Sequence, residues 1–171
     1  MEIKPTDVPG IWQFKVRHAI VGTPQQQYVD YDESYAPTID PTTVRIQICF
    51  TCHCNYTLGI LDVKNAFQNT IAPIKSRLYC TLPPTYLEWL TKIFNESFDY
   101  NEKYVMQMLN SCQGTKDASC LFYKLLRRAL EGYGFIRSTV DHAYFVKSLP
   151  NGHHIYASVA TDDVLVSFPS Y

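Results

Sequence analysis

Three carboxylates carry the chemistry this chain could do. Asp62 ends an apolar run, Leu58-Gly-Ile-Leu-Asp62. Asp162 and Asp163 stand between two more, Ile155 to Ala160 and Val164 to Val166. A charged group at the edge of an apolar core rarely stands without a partner. Were the Asp62 strand and the strand of Ile155 to Ala160 neighbours, the three carboxylates would meet, and like charges so placed need a cation. All-oxygen donors suit Mg²⁺ or Mn²⁺ rather than zinc. A pair of such ions activates a hydroxyl nucleophile and stabilises a leaving pyrophosphate, which is nucleotidyl transfer. The plainer reading is that Asp-Asp is a turn dipeptide and that Asp62 caps the next helix.

Holding these groups together takes a sheet, and the chain reads as strands and helices in alternation. Residues 1–10, with Pro5, Pro9 and Gly10, read as an irregular lead-in to one domain over 11–171. Ile11 to Val21 is strand-like, with Lys15 and Arg17 on one face. Gly22, Pro24 and three glutamines end it, and Tyr28 to Pro37 reads as an ordered loop. Asp40-Pro41 opens a helix, Asp as cap and Pro at the first position. Val44, Ile48 and Cys52 give it a core-facing stripe, and it ends near Asn55. Leu58 to Val63, Arg77 to Leu82 and Lys103 to Met108 are strands, with a helix around Tyr86 to Phe94. Lys116 to Tyr133 is the longest helix, closed by Gly132 and Gly134. Val140 to Lys147 and His154 to Ala160 flank the turn Pro150-Asn-Gly152, Asp162-Asp163 is a second turn, and Val164 to Phe168 returns. The fold class expected is α+β, an antiparallel sheet with helices packed on one face.

Composition sets limits on this reading. The chain has 171 residues, enough for one domain with its own core, and its 46 % apolar content is globular. A net charge of −1 argues against a broadly basic nucleic-acid surface and leaves room for a local stripe. No apolar run approaches the roughly 18–20 residues of a membrane span. Glu2, Lys4 and Asp7 interrupt any signal-like start. A cytoplasmic, intracellular protein without membrane contact is therefore expected, its six cysteines free thiols. Cys49-Phe-Thr-Cys52-His53-Cys54 resembles half a zinc site, but it falls in a predicted helix and has no second half.

Several segments together resemble the reverse transcriptase of copia-type retrotransposons. Phe14 to Gly22 is similar to that family's opening fingers strand. Val29 to Pro37, followed by Thr42-Thr-Val-Arg45, matches a segment specific to the group. Leu61-Asp-Val-Lys-Asn-Ala-Phe67 is close to its first catalytic motif. Gly114 to Tyr123 aligns with the nucleotide-site loop and helix, Asp141 to Lys147 with a later strand, and Tyr156 to Ser167 with the catalytic hairpin. All lie in register across residues 14 to 168.

The resemblance implies a polymerase-type fingers-and-palm portion, truncated after the hairpin, that extends a primer 3′-hydroxyl with deoxynucleotides on an RNA or DNA template. Asp62, Asp162 and Asp163 become the catalytic and metal-binding triad for Mg²⁺ or Mn²⁺, with Asp62 and Asp162 as the direct ligands. Val63, Phe67, Gln113 and Gly114 line the nucleotide pocket, Phe67 excluding a 2′-hydroxyl by its bulk. Lys15 and Arg17 hold the triphosphate. Lys116, Lys124, Arg127 and Arg128 face the nucleic-acid backbone. The implied partners include thumb, ribonuclease H and integrase domains of the same polyprotein, within a virus-like particle. The chain departs from the pattern at Ala160-Thr161, where an aromatic and Val are usual. Val21 replaces a second cation, and Ser119-Cys120 replaces Pro-Arg. These departures leave open a non-catalytic remnant of the family. Outside it, a metal-dependent phosphohydrolase is the alternative.

Overall fold

The computed structural model describes residues 2–5, 8–15, 19–71, 78–82, 84–95, 97–99 and 102–170, with the backbone alone for 2–5, 13–15 and 84. Glu2–Pro5 (β1) pairs antiparallel with Trp12–Lys15 (β2). The expected irregular lead-in therefore contains a strand. Pro5 ends β1 opposite Trp12, and a proline at the end of an edge strand forfeits no ladder bond.

Pro41–His53 (α1) starts where the sequence places it. Asp40 caps it, its Oδ1 accepting from the Thr42 N–H at 2.7 Å. That bond holds the Asp40 carboxyl below the usual range. The face α1 buries is not the expected one. Ile48 and Cys52 are exposed, and Gln47 and Thr51 are the buried pair. The packing surface is polar and saturates itself with hydrogen bonds, so apolar spacing pointed to the wrong side.

Tyr56–Asp62 (β3) comes next, then a 3₁₀ turn over Phe67–Asn69. Tyr79–Thr81 (β4) and Val105–Gln107 (β5) make a separate two-stranded sheet, with Pro84–Phe94 (α2) between them in chain order. Ala118–Gly132 (α3) is followed by Ile136–Arg137 (β6), Tyr144–Ser148 (β7), His154–Ala160 (β8) and Asp163–Pro169 (β9). These strands and β3 form one antiparallel sheet in the order β3-β9-β8-β7-β6. β6 is an addition to what the sequence predicts.

Strand alternation gives this sheet two different faces. Phe145, Ala157, Val159 and Val164 share one face and pack with Tyr123 as the main core. Leu126 and Leu130 of α3 close over it. Ser158 and Ser167 share the other face and are buried under α1 through Gln47. The architecture is α+β with an antiparallel sheet, but helices cover both faces rather than one. The reason lies in β8: Ala157, Ser158 and Val159 are consecutive and all buried, so each face needs a cover. Among the described residues no helix is long and apolar enough to cross a membrane.

Candidate active site

β3 and β9 pair along seven residues, and the pairing ends with Asp62 opposite Asp163. Cross-strand partners lie about 4.5–5.5 Å apart at Cα and point to the same face. Ala160 faces Asp163 from β8, so an alanine completes that row. The turn itself is Thr161-Asp162, one residue earlier than expected, with Asp163 already in the strand. Thr161 sits at φ 59°, a left-handed conformation that a β-branched residue rarely adopts. The Asp162 carbonyl accepts the Val63 N–H at 3.1 Å, tying the hairpin tip to the end of β3.

The fold thus brings the backbones of all three acidic residues to one end of the sheet. Their side chains do not converge as a trio. Among the described residues, no three His, Cys, Asp or Glu side chains are gathered to hold a metal ion. Alternation explains this: Asp163 shares the face of Asp62, while Asp162 occupies the turn. The donors still fit a hard cation in kind. Two carboxylates on adjoining strands are the usual protein share of a Mg²⁺ site, the rest coming from water and substrate phosphates. Cys49, Cys52 and His53 lie on exposed turns of α1, and Cys54 stands just past its end.

Phe67 lies five residues past Asp62, in the 3₁₀ turn. It is half-buried, its ring edge-on to Phe122 of α3 with centroids 6.2 Å apart. The buried Phe122 fixes the ring it supports. Val63, next after Asp62 in the chain, is half-buried, and Gln113 and Gly114 form an exposed turn before α3.

That turn is locked by a contact the sequence did not reveal. The Ile20 N–H donates to the Gln113 carbonyl at 2.8 Å, and the Lys116 N–H donates to Gln25 Oε1 at 2.8 Å. A Cβ on Gly114, at φ +97°, would overlap the Ile20 carbonyl, and one on Gly22 would overlap the Gly114 carbonyl. Both glycines permit a close backbone approach. Gly22 read only as a strand breaker, because its partner is distant in sequence.

The cations divide. Lys15 lies in β2 with its side chain undescribed, and Arg17 lies outside the described residues. Lys124 Nζ bonds Glu33 Oε2 at 2.6 Å, and Arg127 Nε bonds Glu131 Oε1 at 2.7 Å. The Lys124 ammonium beside Glu33 holds that carboxyl below its ordinary range, and Glu33 raises Lys124 in turn. Two of the four proposed backbone-facing cations are thus already neutralised within the chain. Lys116 and Arg128 are exposed.

Residues 4–170 match the reverse transcriptase (RNA-dependent DNA polymerase) family. The chain belongs to that family. It is 29 % identical over 157 residues to a retrovirus-related Pol polyprotein from transposon RE1 of Arabidopsis thaliana, covering 91 % of this chain and 10 % of the relative. A Pol polyprotein from transposon TNT 1-94 of Nicotiana tabacum is 22 % identical over 90 % of the chain and 11 % of its own length. A putative transposon Ty5-1 protein of Saccharomyces cerevisiae is 28 % identical over 64 % of the chain and 32 % of its own length. The reverse transcriptase segment therefore spans about a tenth of the Pol polyproteins it matches. The copia-type resemblance of the motifs stands with these transposon relatives. No solved structure matches the chain.

Proposed function

We propose that this reverse transcriptase segment contributes the fingers and palm of an RNA-directed DNA polymerase that adds deoxynucleotides to a primer 3′-hydroxyl. The observation that carries the reading is the pairing of Asp62 with Asp163 at the hairpin tip, within a chain of this family. Asp62, Asp162 and Asp163 offer oxygen donors at the end of the sheet. Mg²⁺ or Mn²⁺ bound there would lower the pKa of the attacking hydroxyl and neutralise the leaving pyrophosphate. Phe67, braced by Phe122, forms the floor under the sugar and excludes a 2′-hydroxyl. The Gln113-Gly114 turn and Val63 shape the nucleotide pocket. Lys15 and Arg17 hold the triphosphate by charge-assisted bonds. The natural context is a Pol polyprotein, with the template-primer duplex and the remaining polyprotein domains as partners.

The test is template-directed incorporation with Mg²⁺, in this chain joined to its downstream polyprotein, comparing wild type with Asp162→Asn. The expected result is a loss of at least about 10²-fold in the variant, the scale of removing a group that acts on transition-state charge. Equal incorporation by both would select the non-catalytic remnant.

A further inference from the structure

The face of the sheet that carries Asp62 and Asp163 holds a second, fully buried polar cluster. It lies one to two rows of side chains back from the carboxylates. Gln47 of α1 is 1 % exposed, Ser158 1 % and Ser167 0 %. The Ser158 hydroxyl of β8 donates to Gln47 Oε1. Gln47 Nε2 donates to Ser167 Oγ at 2.9 Å and reaches the Leu165 carbonyl at 3.4 Å, both on β9. Thr51, one helical turn on, sits 2.6 Å from the Gln47 carbonyl oxygen and 2.7 Å from Ser167 Oγ. One carboxamide therefore grips both arms of the hairpin whose tip bears Asp162. Ser158 and Leu165 are register partners and Ser167 pairs with Tyr156, so the grip spans two neighbouring rungs of that face, and the next rung of β9 beyond Leu165 is Asp163 with Asp62.

Apolar groups of like shape would fill the same space at no loss of stability, since a buried polar network gives little net free energy over hydrophobic packing. What it adds is direction. Leucine can slide by an ångström on a sheet; an amide holding a hydroxyl on one side and a hydroxyl and a carbonyl on the other cannot. We infer that Gln47 is a positioning residue: through Ser158 and Ser167 it fixes the height and register of the hairpin so that its tip stays bonded to the end of β3. The strand contact it preserves is the Val63 N–H on the Asp162 carbonyl. The part this plays in catalysis rests on the polymerase reading; the positioning itself does not.

Hydrogen exchange of the full chain, read residue by residue, separates the two. Gln47→Met keeps the volume and removes the amide. Its expected effect is exchange of the Val63 amide faster by about tenfold, the worth of one ordinary hydrogen bond, with Phe145 and Val159 of the core unchanged. Ser158→Ala should act alike, since it removes one oxygen from a strand already rich in alanine, and Ser158→Thr should restore protection. Ser158→Ala also carries the test should Gln47→Met fail to fold. Unchanged Val63 exchange overturns the inference. So does a rise shared equally by Val63 and the core, which would make the cluster general fold support. A parallel Mn²⁺ titration of wild type, Gln47→Met and Asp62→Asn, followed by the paramagnetic signal of free Mn²⁺, tests the link to the site. Weaker binding in Gln47→Met supports it, and unaltered binding overturns it. If wild type and Asp62→Asn titrate alike, the polymerase reading fails while the exchange result still decides the positioning.

Discussion

Thr161 is the residue in which local strain and the candidate site coincide. Its φ of 59° forces a β-branched side chain into left-handed backbone, between Ala160 and Asp162. That conformation costs an L residue about 1–2 kcal/mol, and asparagine tolerates it better than most. Thr161→Asn is therefore expected to stabilise the chain by about 1 kcal/mol in urea unfolding, and no gain would show that the turn is relaxed as it stands. Tyr144 makes a second residue-scale prediction. Burial, with a smaller contribution from Tyr156, pushes its phenol up to about 12. A raised folded-state value means the unfolded chain loses this proton first. Its share of stability is thus complete below pH 10 and declines as pH climbs from 10 towards 12. Absorbance of the phenolate should show a late-titrating component that Tyr144→Phe diminishes.

At the scale of elements, the Gly22–Gly114 contact decides whether the loop before α3 keeps its shape. Gly114→Ala must place a Cβ where the Ile20 carbonyl stands and hold φ at +97°. The expected cost is about 1–3 kcal/mol or more by thermal or urea unfolding, and a smaller loss would mean that the 19–25 loop lifts away freely. This contact also marks where sequence reading stops. Local signals served well: the Asp40-Pro41 cap, the glycines at the end of α3 and the Asn-Gly turn between β7 and β8 each gave an element near its true bounds. The apolar runs around Asp62 and Asp162 were enough to expect one sheet, but they put the strand of Ile155 to Ala160 beside the Asp62 strand, and the returning strand β9 takes that place instead. What needed knowledge of the partner was not legible. Val44, Ile48 and Cys52 looked like the buried stripe of α1, because periodicity scores apolar residues and Gln47 is buried only by virtue of the serines it meets. β1 hid behind two prolines. The one-residue placement of the hairpin turn depends on register, which pairing sets and composition does not.

For the molecule as a whole, the proposed polymerase role raises the question of how a chain of net charge −1 would grip a polyanion. Each phosphate neutralised by a cation adds about −0.9 to the slope of log affinity against log salt on duplex. Lys124 cannot contribute a full contact while Glu33 holds it at 2.6 Å, nor Arg127 while Glu131 does at 2.7 Å. Exposed pairs of this kind add little to stability, so their removal changes charge more than fold. Glu33→Gln should then release Lys124. In anisotropy titrations of a labelled template-primer duplex at several salt concentrations, that variant is expected to bind more tightly than wild type and to steepen the slope by up to about one contact. Lys116→Ala and Arg128→Ala should each flatten it by a similar step, because both side chains are exposed on the surface of the loop and helix that come after Gly114. A Glu33→Gln slope equal to that of wild type, alongside a flattened slope in Lys124→Ala, would mean that Lys124 already reaches phosphate past its carboxylate, and the internal pair would not limit binding.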